Sequence, residues 1–479
     1  MLSRLRAPNT FVLLFSFLCL VAALTWILPG GAYERQQVEG RELVVAGSFH
    51  PVEANPQGPG AVLMAPVKGF EGKGLIIGFV FLVGGVFGIL HETKAIQAGI
   101  DAVVAASRKR EWVRRAAIPV FMILFSLGGA VFGMSEEVIP FVLVFIPLAL
   151  ALGYDTVTGI AIPFVGAGAG FAGAFFNPFT LQIAQGIAEI ELVSGWEYRA
   201  VVWVLTTAVA IVFVSLHAHR VARDPSRSPT PAADAAHRQR IQAEQQENSG
   251  TADSAGDERP TTEGKALSGR AGAVLLAFAL GMLVLVWGVG RYQWYIAEIC
   301  AVFLGIGLAA ALLGRLSAGQ TSDAFVAGAK DLTATALVIA LAQGILVIAS
   351  DGRIIDTILH GLAGAIGQVH PIVTAQLMVL VQSAINFVVP SGSGQAALTM
   401  PVMAPLADLT GVSRQTAVLA FQFGDGFSNL IIPTSAVTMG VLTLAKVEWA
   451  AWARWLAPLF AIFLLLALLL MIPPFFIGW

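Results

Sequence analysis

The chain has 479 residues, of which 57% are hydrophobic and only 12% are charged, and its mean hydropathy is +0.78. Soluble domains carry about a quarter charged residues, so a chain this apolar cannot cover a water-facing surface and must use the lipid bilayer as its solvent. The formal net charge of −2 gives no support for a nucleic-acid partner. Cys19 and Cys300 lie singly in apolar runs, which excludes a disulfide framework or a cysteine metal cluster.

Apolar runs follow one another along almost the whole chain. At roughly 20 apolar residues per crossing, the length predicts about ten to twelve membrane-spanning helices. The runs lie at 11–28, 75–90, 117–132, 138–152, 156–176, 200–216, 271–289, 294–313, 332–349, 372–389, 396–409, 415–432 and 455–475. We interpret the first run as a retained helix and not a signal peptide, because its apolar core is long for that role. The sequence therefore predicts an all-α polytopic membrane protein.

One long polar segment divides the chain into two membrane halves. Residues 217–270 contain no Phe, Trp or Tyr and are rich in Ala, Ser, Thr, Pro, Arg, Glu and Gln. Such a segment cannot bury enough apolar surface to offset its ordering entropy. We predict that it is a disordered cytoplasmic linker between an N-terminal half, 1–216, and a C-terminal half, 271–479.

Basic residues set the predicted orientation. When the N-terminus is placed in the cytoplasm, most of the 28 Lys and Arg residues fall on the cytoplasmic side, and every one can be placed in a loop or at a span edge. This bias is the positive-inside pattern. We therefore predict a multi-pass protein of the inner, or plasma, membrane with a cytoplasmic N-terminus.

The two halves contain an internal repeat. When the sequence is shifted by about 258 residues, Ser135 coincides with Ser393, and further Pro and Gly matches follow in the same order. Repeat 1 is predicted over about 78–216 and repeat 2 over about 332–475. The charge pattern gives the two copies opposite orientations. An inverted repeat is the signature of an alternating-access transporter whose site lies at the repeat interface.

Each copy contains two short apolar segments joined by polar residues. The segments 117–132 and 138–152 are too short to span a membrane comfortably, and residues 133–137 lie between them. The equivalent residues of the second copy are 390–395. We predict that both are tips of re-entrant helical hairpins, because irregular backbone at membrane depth is tolerated only where protein or a watery cavity satisfies it. Backbone N–H groups at the helix start near Ser391 would suit a substrate carboxylate.

A second pair of breaks follows the hairpins. Residues 177–180, Asn-Pro-Phe-Thr, interrupt one apolar segment, and residues 433–435, Pro-Thr-Ser, interrupt its equivalent. Proline frees carbonyl groups one turn earlier, and hydroxyl and amide oxygens beside them can ligate a cation or a substrate. A proline kink alone would explain one break, but four symmetric breaks favour a binding site. The candidate substrate-binding residues are Asn177, Thr180, Ser391, Ser393, Gly394, Gln395, Thr434 and Ser435.

Three acidic residues fall within the predicted membrane region. Glu136 and Glu137 lie at the first tip, and Asp425 lies in the sequence Gly-Asp-Gly-Phe-Ser-Asn at 424–429. Acids inside a membrane are costly and by default mark an ion, proton or substrate pathway. The alternative for the two glutamates is that they cap the following helix. The predicted ion- or proton-coupling residues are Ser135, Glu136, Glu137, Asp425 and Asn429, with Na⁺ or H⁺ as the coupling ion and no other metal or cofactor.

These charges favour one class of substrate. Because no Lys or Arg accompanies the acids within the predicted spans, a doubly negative solute would depend on helix N-termini and hydroxyl groups alone. A cationic or zwitterionic solute can pair its positive group with Asp425 or the glutamates, and its carboxylate with the N–H groups of 391–395. The sequence therefore favours a basic or other amino acid, with a four-carbon dicarboxylate as the alternative.

Three segments resemble a known transporter family. They are NFVVPSGSGQAA at 386–397, FQFGDGFSN at 421–429, and residues 177–180 followed by Gln-Gly-Ile-Ala at 185–188. They resemble the YfcC family, which belongs with the anaerobic four-carbon dicarboxylate carriers of the ion-transporter superfamily, over nearly the whole chain except the linker. The resemblance implies a scaffold and a transport domain with paired re-entrant hairpins, an elevator motion and a homodimer. It does not choose a substrate, because the family carries both dicarboxylate and basic amino-acid labels.

The hairpin tips differ from those of sodium-coupled relatives in the superfamily. Those relatives carry Ser-Asn-Thr at both tips, whereas this chain has Ser-Glu-Glu at 135–137 and Ser-Gly-Ser at 391–393.

Enzyme classes lack their signatures in this chain. The sequence has no His-Glu-x-x-His metalloprotease motif, and the Gly-x-Gly-Asp motif of intramembrane aspartyl proteases is missing because residue 422 is Gln. We therefore predict a transporter and not an enzyme. An ion channel is the remote alternative, since inverted repeats also occur in channels.

Overall fold

The fold is almost entirely helical. The computed structural model describes residues 10–38, 41–45, 47–253, 269–292, 294–364 and 369–479. Within these ranges, 8 helices are long and apolar enough to cross a membrane, judged by length and composition. The prediction of an all-α polytopic membrane protein is confirmed.

The first half of the chain consists of helices, with one short strand-containing segment after the first of them. In chain order its elements are α1 (Thr10–Leu24), β1 (Gly31–Ala32), β2 (Arg35–Val38), β3 (Arg41–Val44), β4 (His50–Pro51), α2 (Pro59–Gly72), α3 (Gly74–Glu92), α4 (Ala95–Lys109), α5 (Glu111–Phe132), α6 (Val138–Ala151), α7 (Thr156–Ala172), α8 (Leu181–Ile187) and α9 (Trp196–Arg223). Strand β1 pairs antiparallel with β4, and β2 pairs antiparallel with β3. These two small ribbons, which the sequence analysis did not predict, satisfy backbone groups of a polar segment between two helices.

All the secondary-structure elements in the described residues of the linker and the second half are helices. The elements are α10 (Pro231–Asp253), α11 (Gly269–Tyr292), α12 (Ile296–Gly314), α13 (Ala318–Asp331), α14 (Thr333–Asp351), α15 (Ile355–Gly364), α16 (Pro371–Val388), α17 (Gly392–Thr410), α18 (Arg414–Ser428), α19 (Ala436–Leu444), α20 (Trp449–Leu470) and α21 (Pro474–Ile477).

The internal duplication extends further than the sequence comparison indicated. At one constant shift of about 259 residues, the ends of α2 coincide with those of α13, and the ends of α3 coincide with those of α14. The residues that follow also agree, because Lys94 and Arg353 both adopt a positive φ, of 58° and 56°. The structural repeat therefore begins at Pro59, earlier than predicted. Helix α2 contains Lys68 and Glu71, which interrupt its apolar residues. It was therefore not among the apolar runs, and its match to α13 was not detected.

The two copies exchange helix partners. Helix α2 packs along α14, and α13 packs along α3. Gly69 of α2 lies against the carbonyl group of Ala340, and Gly328 of α13 lies against that of Gly84, so a side chain at either glycine would overlap the opposite backbone. Small residues permit this close approach, and van der Waals packing then stabilises the membrane helices. We call α2, α3, α13 and α14 the scaffold.

The hairpins and broken helices form a second body. In the first copy α5 and α6 pack on α7, and in the second copy α16 and α17 pack on α18. Across the copies, α8 packs on α17, α19 packs on α6, and α7 packs on α18. Gly170 of α7 lies against the carbonyl group of Ser126 in α5, which allows these two helices to cross closely. We call α5–α8 together with α16–α19 the hairpin body.

The prediction of a disordered linker over 217–270 is wrong for its first part. Helix α9 continues to Arg223, a 3-10 turn covers Pro225–Arg227, and α10 covers Pro231–Asp253. Residues 254–268 lie outside the described residues, so the prediction stays untested there. Polar as it is, α10 begins with a proline whose fixed φ suits a first helical turn. Its ordering also depends on contacts with other helices, which composition alone does not reveal.

Helix α10 is attached to both bodies. The Asp234 carboxylate is buried and accepts a hydrogen bond of 2.8 Å from the backbone N–H of Thr156, at the start of α7. His237 Nε2 donates to the carbonyl oxygen at the C-terminal end of α19, also at 2.8 Å. Arg240 pairs with Asp331 of the scaffold, with 3.2 Å between nitrogen and oxygen. These contacts place polar partners on free groups at helix ends.

We expect the docking of α10 to weaken in acid. Burial lowers the pKa of His237 below its ordinary value of 6.5, the cations Lys446 and Arg240 lower this pKa further, and the hydrogen bond to the α19 carbonyl and the Asp234 carboxylate act in the opposite direction. An undocked His237 recovers its ordinary pKa and takes up a proton more readily, so docking is favoured above about pH 6.5 and is lost as the pH falls below it. Limited proteolysis of α10 should therefore be faster at pH 5.5 than at pH 7.5.

Two histidine variants make this test specific. His237→Gln removes the titrating group and should remove the pH dependence of cleavage. His219→Gln changes an exposed histidine of α9 and should leave the dependence as it is. Cleavage of the wild-type chain at equal rates at both pH values would contradict the assignment.

Candidate functional site

A cavity lies where the four chain breaks meet. The tips of both hairpins and the breaks after α7 and α18 enclose it on one side, and α3, α12 and α14 close it on the other. Its volume of about 100 Å³ leaves room for several water molecules or a small solute. The predicted site residues that line it are Thr180, Ser391, Ser393, Thr434, Ser435, Ser135, Glu136, Glu137 and Asn429. The predicted residues that do not line it are Asn177, Gly394, Gln395 and Asp425.

The first hairpin tip presents one glutamate to the cavity and uses the other to close its turn. Helix α5 has 22 residues and begins at Glu111, so it is longer than the predicted segment, whereas α6 has 14. Gly133 ends α5 with φ of 76°. Glu137 is buried, and its Oε2 accepts a hydrogen bond of 3.0 Å from the backbone N–H of Ser135. Glu136 is only partly buried and faces the cavity.

The second hairpin tip exposes the start of a helix to the cavity. Ser391 precedes α17 with an extended backbone, and its side chain makes no capping hydrogen bond. Ser391 and Ser393 therefore keep their hydroxyl groups available at the N-terminal end of the helix dipole. Gln395 points elsewhere: it is buried, and its Nε2 donates to Gln382 Oε1 at 2.7 Å, which joins α17 to α16.

The break after α7 is held by an asparagine behind the cavity wall. Asn177 Oδ1 accepts hydrogen bonds from the backbone N–H groups of Phe179, at 2.9 Å, and Thr180, at 3.2 Å. The Asn177 side chain also packs on Gly133, where any side chain would collide with it. Thr180 itself lines the cavity and accepts a hydrogen bond of 3.1 Å from Gln422 Nε2. Asn177 thus fixes the first tip against the first break.

The break after α18 places two residues with hydroxyl groups on the cavity wall. Ser435 precedes α19, and its Oγ accepts a hydrogen bond from the backbone N–H of Thr438. Thr434 is buried, and its Oγ1 has no hydrogen-bond partner among the described residues. The hydroxyl group of Thr438 donates to the carbonyl oxygen of Asn429, which satisfies one acceptor freed by the break.

Asp425 lies directly behind the cavity wall. Its side chain is 0% exposed, and its Oδ1 accepts a hydrogen bond of 2.8 Å from Asn429 Nδ2. Its Oδ2 has no partner in the described part of the chain and would lie 3.0 Å from a Cβ atom on Gly392. The carboxylate therefore does not line the cavity, although the sequence analysis paired it with a substrate cation. Asn429 and Gly392 separate it from the space where a solute fits.

A lysine that the sequence analysis excluded also faces the cavity. Lys73 lies between α2 and α3 and lines the cavity together with Tyr295 and Gln343. The apolar run at 75–90 begins just after Lys73, so the sequence places this lysine outside the predicted span. The flanking residues Gly72 and Gly74 were the available signal, since glycines on both sides of a single residue are typical of a helix break.

These features define a class of protein. A site built from broken helices, at the interface of two copies of one repeat in an apolar helical protein, is typical of membrane transporters. The chain belongs to the C4-dicarboxylate anaerobic carrier family, whose model matches residues 7–474. This match confirms the family resemblance and the prediction that the protein is a transporter and not an enzyme.

Two curated relatives and one solved structure are similar over nearly their whole length. The "Putative basic amino acid antiporter YfcC" of Escherichia coli is 36% identical, over 93% of this chain and 92% of that protein. An uncharacterized protein of Haemophilus influenzae is 27% identical, over 92% of both chains. The crystal structure of the YdaH transporter of Alcanivorax borkumensis covers 98% of this chain and 99% of its own, with 16% identity and a TM-score of 0.45.

We expect Asp425→Asn to leave the fold at least as stable as the wild type. A buried carboxylate with one unpaired oxygen is costly when ionised, and an amide of the same shape removes that cost. Asn429→Ala should instead destabilise the fold by about 1–3 kcal/mol, because it leaves both carboxylate oxygens unpaired. Thermal unfolding of the two purified variants in one detergent measures the difference. A fall in melting temperature for Asp425→Asn as large as that for Asn429→Ala would show that the carboxylate is needed structurally.

Proposed function

We propose that the protein is a secondary active transporter of small carboxylate-bearing solutes, with a basic or other amino acid as the favoured substrate. The observation that carries this proposal is the charge distribution of the cavity. Glu136 and the start of α17 lie on the hairpin body, and Lys73 lies on the opposite wall. A zwitterionic or cationic amino acid has both groups that these charges complement.

The two ends of an amino acid suit different parts of the cavity. Its carboxylate suits the hydroxyl groups of Ser391 and Ser393 and the N–H groups that begin α17, because a helix N-terminus favours an anion. Its ammonium or guanidinium group suits Glu136, whose carboxylate is not committed to closing the turn. Thr180, which also lines the cavity, is placed to contact the middle of such a solute.

A four-carbon dicarboxylate is the second candidate. Lys73 favours a dicarboxylate, because it places a cation at the cavity beside the helix ends and hydroxyl groups, and a cation attracts a dianion. The matched family model is described for C4-dicarboxylates, whereas the relative in Escherichia coli is described as an amino-acid antiporter. Glu136 and Glu137 count against a dianion, because like charges at close range raise its free energy in the cavity.

Movement of the hairpin body against the scaffold provides alternating access in this proposal. The hairpin body contains both tips and both breaks, so the polar wall of the site moves as one unit, and the scaffold supplies the other wall. Exposed apolar side chains on α2, among them Leu63 and Val67, give a surface for a homodimer in the bilayer. The proposal includes an inner-membrane location with a cytoplasmic N-terminus, supported by the positive-inside pattern.

Asp425 is the proposed coupling residue. A buried carboxylate oxygen without a partner is satisfied when it binds a proton or a cation such as Na⁺. Asn429 holds the other oxygen, and Ser135 and Asn429 both line the cavity beside it. Uptake of the coupling ion at Asp425 would remove its negative charge from the hairpin body before that body moves through the hydrocarbon.

Uptake into proteoliposomes decides between the two substrate classes. Labelled arginine and labelled malate are compared side by side, with and without Na⁺ and pH gradients and with unlabelled solute preloaded inside. We expect arginine to enter, with faster entry when an amino acid is preloaded, because a carrier that exchanges shows trans-acceleration. Uptake of malate alone would overturn the amino-acid assignment, and uptake without trans-acceleration would favour a channel.

The coupling role of Asp425 predicts a separate defect. Asp425→Asn should abolish uptake driven by an ion gradient, because the amide cannot bind the ion, while the protein stays folded. Asp323→Asn changes an exposed acid of α13 and is the matched control, with uptake like that of the wild type. Gradient-driven uptake by Asp425→Asn at the wild-type rate would exclude Asp425 as the coupling site.

A further inference from the structure

Lys73 is an unusual cation for its position. It lies at the junction of α2 and α3, partly buried, and at the equivalent junction of the second copy the residue is Leu332, which is wholly buried. The junction therefore does not need a lysine for its fold. No carboxylate lies within ion-pair distance of Lys73 in the described ranges. Glu136 lies on the opposite wall of the cavity and makes no direct ion pair with Lys73, so the Lys73 ammonium is available to a ligand carboxylate.

Two other polar side chains, those of Gln343 and Tyr295, line the cavity together with Lys73. Gln343 of α14 lines the cavity, and its Nε2 would lie 3.7 Å from a Cβ atom on the neighbouring Gly72. Tyr295 precedes α12 and lines the cavity with its ring centroid 4.9 Å from that of Phe179 in the hairpin body. The wall opposite the hairpin body thus offers an ammonium and an amide from the scaffold and a phenol from the start of α12.

The opposite wall has a hydroxyl group that also lacks a partner. Thr434 is 1% exposed and lines the cavity, and its Oγ1 makes no hydrogen bond with the described residues. Buried hydroxyl groups are normally hydrogen-bonded, so an orphan at a cavity points to a ligand or a water molecule that completes it. The serine hydroxyl groups of 391 and 393 lie on the same wall.

We propose that Lys73 and Gln343 form a stationary carboxylate-binding subsite, which contacts the substrate only while the hairpin body is in the position seen here. The inference rests on the proposed function and adds the group that recognises the substrate's carboxylate from the scaffold side. The ammonium of Lys73 supplies the charge and the amide of Gln343 a hydrogen bond. The hydroxyl groups of the hairpin body hold the same carboxylate from the other side.

A stationary subsite has a consequence that a subsite on the moving body lacks. When the hairpin body moves, it carries its serines and Glu136 with it, but Lys73 stays on the scaffold. The substrate therefore meets Lys73 at one face of the membrane only. Loss of Lys73 should weaken binding at that face and leave binding at the other face unchanged, whereas loss of Ser393 should weaken binding at both faces.

The test measures the KM of arginine at each membrane face in oriented vesicles. Lys73→Met should raise the KM at one face by about 10-fold or more, as expected for losing a charged hydrogen bond, and Lys73→Arg should restore most of it. Agmatine is arginine without its carboxylate. At the face where Lys73 acts, the KM of agmatine should exceed that of arginine in the wild type, and this difference should disappear in Lys73→Met. Lys68→Met is the matched control, since Lys68 lies on α2, close to Lys73 in sequence, but pairs with Asp351 at 2.7 Å.

The outcomes separate this inference from the proposed function. If Lys73→Met transports arginine with the wild-type KM at each of the two faces, the subsite is overturned and the proposed function stands. Transport of malate and not arginine would overturn the amino-acid assignment. A one-sided increase of the malate KM in Lys73→Met would then still support the subsite, and an unchanged malate KM would overturn it.

If neither arginine nor malate is transported, the position of Lys73 can still be tested by a measurement that needs no substrate. Lys73→Cys is made in a chain whose own cysteines, Cys19 and Cys300, are replaced by alanine. A water-soluble, positively charged methanethiosulfonate should modify the new cysteine from one face of the membrane and not from the other. Absence of modification from both faces would place Lys73 away from the aqueous cavity and overturn the proposal.

Discussion

Broken helices inside hydrocarbon are the constraint on which the rest of this structure depends. Each break frees backbone N–H and carbonyl groups that lipid cannot satisfy. The chain satisfies them with side chains of the same break and of a neighbouring helix. Asn177 Oδ1 accepts hydrogen bonds from two backbone N–H groups of its own break, and Gln422 of α18 donates to the carbonyl oxygen of Phe171 at 2.7 Å. A close contact also joins the first tip to the break after α7, because Gly133 packs on the Asn177 side chain. The polar surface that results is the cavity.

Glycine allows this convergence, at the two positions where the breaks touch. Gly133 leaves space for the Asn177 amide, and Gly392 leaves space for the Asp425 carboxylate. A larger residue at either position would separate a tip from the broken helix behind it. The same geometry explains why Asp425 is buried. Its carboxylate occupies the space beside Gly392, so it lies against the second tip and does not line the cavity.

Much of this architecture could be predicted from the sequence because the repeat and the breaks leave local signals. Proline, glycine and serine at symmetric positions indicated both tips and both broken helices, and most of their polar residues do line one cavity. The predictions failed where the outcome depends on distant partners. Helix α10 is ordered by contacts such as Asp234 with Thr156, which no composition rule detects. Asp425 and Gln395 are of residue types that are common in binding sites, but their side chains contact other protein groups. The spacing of residues in the sequence does not show which way a side chain points.

Lys73 was missed for a different physical reason. Lys68 and Glu71 interrupt the apolar residues of α2, so no apolar run was assigned there and Lys73 fell outside the predicted spans. The exposed apolar side chains of α2 and its close contact with α14 nevertheless place this helix within the scaffold. The consequence is an asymmetry between otherwise matching copies, a lysine in one and a leucine in the other. The hairpin body contributes negative charge and helix ends to the cavity, and the scaffold contributes one positive charge. The charged residues of this cavity are therefore divided between the two bodies, and neither body alone carries both signs of charge.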